Sequence, residues 1–313
     1  MKLKRLMVHL VLGGGLIISA GAYADIEDNI SRDFQVKSGG TLVVESELGS
    51  VQVKAGAGDK VEVSITLIAD TDNSDKAREI MDRFHVDFNQ DGNRVAVVGE
   101  YDDDSFKLFQ NRRNRLKVEY YIMVPEKFDL DIHTGGGGIG VSNIEGTMEV
   151  ETAGGSLNFT GAKGNIRGRT SGGSISLREC DGEIDIKTSG GSINMERATG
   201  EIYARTSGGS VNLEEVRGSI DASTSGGSVT AEIMEQPSSP CRLTTSGGSV
   251  TIYLSETIQA NIDAETSAWK IKSDFPLKVR GRYVSHELQG EINGGGPEIY
   301  LRTSAGNINI NKL

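Results

Sequence analysis

Four carboxylates and two arginines carry the first chemistry that the sequence suggests. Glu149, Glu151, Asp185 and Asp221 fall on outward positions of short alternating strands, and Arg167 and Arg169 lie between the first pair and Asp185. Two carboxylates about 10 Å apart are the working parts of a glycoside hydrolase, one acting as acid and the other as base. Stacked strands about 4.8 Å apart would give that separation across two repeats. The same charges also keep a strand face soluble and free of lateral aggregation, and this is the reading we expect.

Other catalytic patterns are thin. His85, His133 and His286 are scattered, and none forms the H-E-x-x-H arrangement that holds zinc. No G-x-S-x-G elbow occurs, and Cys180 has no base partner. The glycine-rich units lack the Gly-Lys-Ser/Thr that cradles phosphate, and the calcium-binding GGxGxD repeat is missing. Asp102-Asp103-Asp104 and Arg112-Arg113-Asn114-Arg115 do not make a calcium loop and read as solvated charge. We therefore expect no catalytic residue, no cofactor and no metal site.

A second set of residues points to binding. Ser174 and Ser176, Ser192 and Asn194, Ser210 and Asn212, and Ser228 and Thr230 recur as outward pairs, with Ser156/Asn158 and Ser249/Thr251 continuing the pattern. Hydroxyls and amides both donate and accept hydrogen bonds, which suits the hydroxyls of a sugar. Small side chains are also what close strand stacking requires. This lattice is the candidate binding face.

The unit that must position these residues is T-S-G-G-S-[I/V]. It begins at Thr152 (as T-A-G-G-S), Thr170, Thr188, Thr206, Thr224 and Thr245, at spacings of 18 residues and finally 21. A unit so short cannot bury a core alone, so the copies must stack. Each holds two runs of period two, which read as strands. Three inward columns result, one through Leu157, Ile175, Ile193, Val211, Val229 and Val250, a second through Phe159, Leu177, Met195, Leu213, Ala231 and Ile252, and a third through Met148, Ile166, Ile184, Ile202, Ile220 and Cys241. Pairs such as Gly172-Gly173 and Gly190-Gly191 read as corners needing positive φ, and Gly164, Gly182, Gly200 and Gly218 mark the other corner. Cys180 aligns with Ala162, Ala198 and Val216, so both cysteines read as small buried hydrophobes on different corners rather than a disulfide. Glu235 to Pro240 reads as an outward bulge.

The expected fold is all-β, a single-domain parallel β-solenoid with about 18 residues per rung, plus one short inserted helix near the N-terminus. Ala77, Ile80 or Met81, and Phe84 have helical spacing, which places that helix at about 74–84 with Ser74 as its cap. The expected organisation is a signal peptide over 1–24, an N-terminal β region over 25–133 that contains the helix, and regular repeats with closing rungs over 134–313. The sole tryptophan, Trp269, reads as a plug for the loosening end of the core.

The leader is a basic MKLKR, an apolar run over residues 6–20 and an Ala22-Tyr23-Ala24 ending, which has the form of a secretory signal. That run is shorter than the roughly 20 residues of a spanning helix, so no transmembrane anchor is expected after cleavage. Net charge is -11, and cleavage leaves 30 basic against 44 acidic residues, or -14. That balance excludes non-specific nucleic acid binding.

Three stretches outside these arguments sharpen the picture: Tyr120-Tyr121-Ile122-Met123-Val124-Pro125 before the first unit, Gly290-Glu291-Ile292-Asn293-Gly294-Gly295-Gly296-Pro297, and Thr303-Ser304-Ala305-Gly306-Asn307-Ile308. With the T-S-G-G-S units, they make the chain resemble, from about Gly39 to Leu313, the bacterial adhesins with β-strand repeats grouped as domain of unknown function 4097. The resemblance implies a secreted or envelope-associated β-solenoid and supplies no catalytic or ligand residue. The expected function is an exported, non-enzymatic adhesin or cell-envelope binding protein in the periplasm or on the cell surface of a bacterium. Its expected partner is a glycan or a cell-envelope protein. The alternatives are a periplasmic structural or assembly scaffold, with end-to-end self-association, and a polysaccharide-acting enzyme.

Overall fold

The computed structural model describes residues 26–102, 116–267, 270–279 and 286–313. The leader, the cluster over 103–115 and Trp269 lie outside the described residues.

The strands form two ladders. Read across the first in space, they are Ile26–Gln35, Lys60–Ala69, Leu116–Pro125, Ser50–Gly56, Ile139–Ser142, Leu157–Thr160, Ile175–Arg178, Ile193–Glu196, Val211–Thr224, Val229–Ile233, Val250–Leu254, Ile308–Lys312 and Ile271–Ser273. The second runs Phe84–Asp91, Arg94–Tyr101, Gly40–Ser46, Phe128–Thr134, Glu145–Thr152, Lys163–Thr170, Asp181–Thr188, Thr199–Arg205, Val211–Thr224, Cys241–Thr245, Glu298–Thr303, Ala260–Thr266, Glu287–Ile292 and Lys278–Val279. Val211–Thr224 belongs to both, so the ladders are one sheet wrapped around one core.

The expectation of a single parallel β-solenoid with even rungs is therefore corrected. The 26 strands form one mixed sheet that nearly closes around its core. Antiparallel pairs bound it at both ends: Ile26–Gln35 with Lys60–Ala69, that strand with Leu116–Pro125, Phe84–Asp91 with Arg94–Tyr101, and Ala260–Thr266 with Glu287–Ile292. Order in space also departs from order in sequence. Gly40–Ser46 lies between Arg94–Tyr101 and Phe128–Thr134, and the late strand Glu298–Thr303 lies between Cys241–Thr245 and Ala260–Thr266. Parallel pairing at 18 residues is confined to the middle, where each repeat presents the same strand to the next.

In that middle the three apolar columns are in register, and all are buried. Ile175, Ile193 and Val211 are fully enclosed, and burying each such side chain contributes about 1.5–3 kcal/mol. Cys180 and Cys241 are buried and unbridged. The helix is Ser74–Met81, shorter than its apolar spacing implied, because Phe84 opens the next strand. Asn73, not Ser74, caps it, accepting hydrogen bonds from the amides of Asp75 and Lys76.

Each residue of T-S-G-G-S has a hydrogen-bonding task between repeats. In the copy at Thr188, the hydroxyl donates to the carbonyl of Gly173 in the preceding repeat at 2.8 Å and accepts from the amide of Gly191 at 3.3 Å. The Gly190 amide donates to the Ser171 carbonyl at 2.9 Å. The Ser192 amide donates to Ser174 Oγ at 3.2 Å. The same bond from threonine to glycine carbonyl recurs at Thr152, Thr170, Thr206, Thr224, Thr245, Thr303 and Thr266, and all these threonines are buried.

The paired glycines serve close approach, which corrects the positive-φ reading of that corner. Gly190 and Gly191 are not among the positive-φ residues, whereas Gly182 at the other corner has φ 131°. A Cβ on Gly191 would collide with the carbonyl of Gly173. One on Gly190 would have its nearest neighbour at 3.3 Å, which a small shift relieves. At the second corner Asn143, Glu179, Arg197 and Glu215 stand in one column with φ between 52° and 59°, a conformation that costs a non-glycine residue about 1 kcal/mol.

Two comparisons test this account by chemical denaturation. Thr188→Val keeps the shape and leaves a part-buried carbonyl and amide without the hydroxyl, so it should cost about 1–2 kcal/mol, with Thr188→Ser costing less. Gly191→Ala should destabilise by about 2 kcal/mol more than Gly190→Ala. Equal effects within either pair would contradict the assignment.

Candidate binding surface

The eight predicted face residues divide into two rows. Ser174, Ser192, Ser210 and Ser228 form the first, and the structure turns their hydroxyls to the fold. Each accepts the backbone amide of the next serine, Ser192, Ser210, Ser228 and Ser249 respectively, at 3.2 Å. Ser176, Asn194, Asn212 and Thr230 form the second row, on the outer face of the first ladder and in direct register. Strand pairing extends this row to Asn158 on one side and to Thr251 and Asn309 on the other.

The row is internally ordered but keeps free valences. Asn212 Nδ2 donates to Asn194 Oδ1 at 3.0 Å, and Asn309 Nδ2 donates to Thr251 Oγ1 at 3.4 Å. An amide has two donors and an acceptor with two lone pairs, so one bond leaves most of its capacity to solvent or ligand. A groove follows the row, with Asn158, Ser176, Asn194 and Asn212 in it and Arg178, Glu196 and Glu214 along its margin. Arg178 is paired with Glu196 at 3.0 Å, so that margin is partly neutralised.

The carboxylates lie on the second ladder. Register alone sets Glu149, Arg167 and Asp185 side by side on consecutive strands. Arg167 lies 4.0 Å from Glu149 and 3.8 Å from Asp185, and Arg169 lies 3.3 Å from Asp185. Asp221 pairs with Arg205 at 3.1 Å, and Glu151 lies 3.7 Å from His133. Guanidinium groups thus fill the gap that a substrate and water would need in a hydrolase. Farther along, the Tyr300 ring lies between Arg242 and Arg302, and Arg302 pairs with Asp263 and Glu265. This face is a self-neutralising charge ladder.

The remaining candidates are scattered. His85 meets Asp102 at 2.8 Å and His133 meets Asp131 at 2.9 Å, on different parts of the sheet. Among the described residues no group of three or more His, Cys, Asp or Glu side chains could hold a metal ion. Burial pushes the Cys180 and Cys241 thiols above their ordinary value. Among the described residues no helix is long and apolar enough to cross a membrane.

A feature absent from the repeat pattern is a second groove on the same ladder face. Tyr121 and Met123 are exposed there, beside Gln52, Lys54, Glu62 and Ser64. Tyr121 lies before the first repeat, so repeat alignment gives it no counterpart. Only the fold places it beside the repeats.

A raised thiol pKa and burial both suppress thiolate at the surface. Neither cysteine should react with iodoacetamide at pH 8 in the folded protein, and both should react in denaturant. Mass spectrometry showing equal labelling in the two states would contradict their placement.

The family model described as Toastrack DUF4097 matches residues 40–311. Among solved structures, a putative lipid binding protein from Parabacteroides distasonis aligns at 14% identity and TM-score 0.44, covering 90% of this chain and 96% of its own. A putative adhesin from Bacteroides fragilis aligns at 12% identity and TM-score 0.34, covering 91% and 97%. A putative cell adhesion protein from Clostridium sporogenes aligns at 12% identity and TM-score 0.24, covering 91% and 100%. No curated protein is detectably similar to the chain. The chain belongs to the Toastrack DUF4097 family.

Proposed function

We propose that this Toastrack DUF4097 protein is an exported, non-enzymatic, adhesin-like binding protein of the bacterial cell envelope, and that the row through Ser176, Asn194, Asn212 and Thr230 is its contact face for a glycan. The observation that carries the reading is the row itself. Amides and hydroxyls stand at strand spacing along a groove, with hydrogen-bonding capacity to spare. Export rests on the leader over residues 1–24. Ser174, Ser192, Ser210 and Ser228 support the face from beneath.

An assembly role has one observation in its favour. Ile26–Gln35 is ten residues long, mostly exposed, and pairs on one side only among the described residues. Such an edge can accept a strand from another molecule. End-to-end self-association through it is the second reading.

Asn194→Lys together with Asn212→Lys tests the glycan reading without touching the supporting serines. On a glycan array the wild type should bind selectively, and the double variant should lose at least about tenfold in affinity with unchanged circular dichroism, as loss of a few neutral hydrogen bonds implies. Undiminished glycan binding by the variant would reject the face. Concentration-dependent dimerisation, abolished by Asn29→Pro in the edge strand, would favour assembly.

A further inference from the structure

Tyr121 is 51% exposed, the most exposed large hydrophobic side chain among the described residues. Strand pairing puts it in line with the polar row. Across the first ladder the same position is held by Tyr121, Gln52, Gly140, Asn158, Ser176 and Asn194, and then by the rest of the row to Asn309. These neighbouring strands span roughly 43 Å at about 4.8 Å per strand. No residue in this stretch is charged, although 25% of the chain is.

The two grooves on this face belong to the same line. One holds Tyr121 and Gln52, the other begins at Asn158, and only Gly140 separates them. Gly140 contributes no side chain, and the Gln52 amide lies over the position that a Cβ would take. The strip therefore passes from one groove to the other with an amide bridging the gap. Tyr121 Oη donates to Glu119 Oε2 at 3.2 Å, which tethers the ring to its own strand. An aromatic ring offers an apolar body beside a polar tip, the combination that packs against the C–H face of a pyranose.

We propose that Tyr121 and Gln52 are the first subsites of one continuous glycan track along this row, and that its ligand is an extended, neutral oligosaccharide laid across the strands with one sugar per strand. This rests on the glycan reading of the polar row and adds to it a start point, a direction and a ligand class. Neutrality of the ligand follows from the line itself, which carries no charge, and from its margins, where Lys60 pairs with Glu62 and Arg178 with Glu196, so that no excess of positive charge is offered to an acidic polymer. Strand spacing, close to the length of one sugar in an extended chain, favours the crosswise orientation.

Titration calorimetry of the full exported chain tests the track. The probes are chito- and cello-oligosaccharides from dimer to octamer, with oligogalacturonate as the acidic comparison. The track predicts affinity that rises with length up to the longest neutral oligomer, and weaker binding of the acidic one. Tyr121→Ala should weaken octamer binding about tenfold, with Tyr121→Phe close to wild type. Octamer binding that Asn194→Lys with Asn212→Lys destroys but Tyr121→Ala leaves unchanged would overturn the track and leave the polar face standing. Tighter binding of oligogalacturonate, or no binding of either neutral series, would also overturn it. In the last case, selective array binding of some other glycan by the wild type would still uphold the face.

Discussion

One hydroxyl per repeat, set between two glycines, is the constraint on which the rest of the structure depends. The buried threonine donates to a glycine carbonyl of the preceding repeat and accepts from a glycine amide of its own turn. Strand ladders alone fix the spacing of the straight segments. At a corner the backbone leaves the ladder, and its half-buried polar groups lose their ladder partners. The threonine supplies those partners, and because its reach is short it pulls consecutive turns so close that the second glycine can carry no side chain. The motif is thus a set of mutual requirements rather than five separate preferences.

That corner also shapes the outer face. Turns that superimpose keep the strands leaving them in register, so side chains at one position line up across the sheet. The serine at the turn exit is close enough to the next repeat to bond its amide, and the residue two places on is not. The fold thereby spends one outward row on cohesion and leaves the next for contact. At both ends the register gives way to antiparallel strands and to segments inserted out of order. Insertion places Gly40–Ser46, Glu298–Thr303 and Ile308–Lys312 inside the sheet, with partners on both sides, which limits the exposed edges that invite aggregation and leaves Ile26–Gln35 at an edge.

The sequence made the middle of the molecule legible because period and chemistry repeat together. Ile175, Ile193 and Val211 could be aligned by counting, and the structure stacks them. Counting could not order Gly40–Ser46 or Glu298–Thr303, since their places depend on partners distant in the chain. Nor could it separate the two reasons for glycine: Gly182 needs both its φ and its missing Cβ, and Gly191 needs its missing Cβ alone. Within the candidate face, Ser174 and Ser176 look alike in a period-two strand, and only the adjacent turn distinguishes their roles. Tyr121 was invisible as a face residue because it lies outside the repeats. The carboxylates were placed on an outward face correctly, but the ion pairs that occupy them require knowing which strands are neighbours.

Amide hydrogen exchange at the second glycine of each turn tests the central claim most directly. If the threonine hydroxyls hold the corners, the amides of Gly155, Gly173, Gly191, Gly227 and Gly248 should be protected like the strand amides of Ile193 and Val211. Exchange of these glycines at the rate of an unstructured chain, while the strand amides remain protected, would show that the ladders hold the repeats without the threonines and would contradict the account.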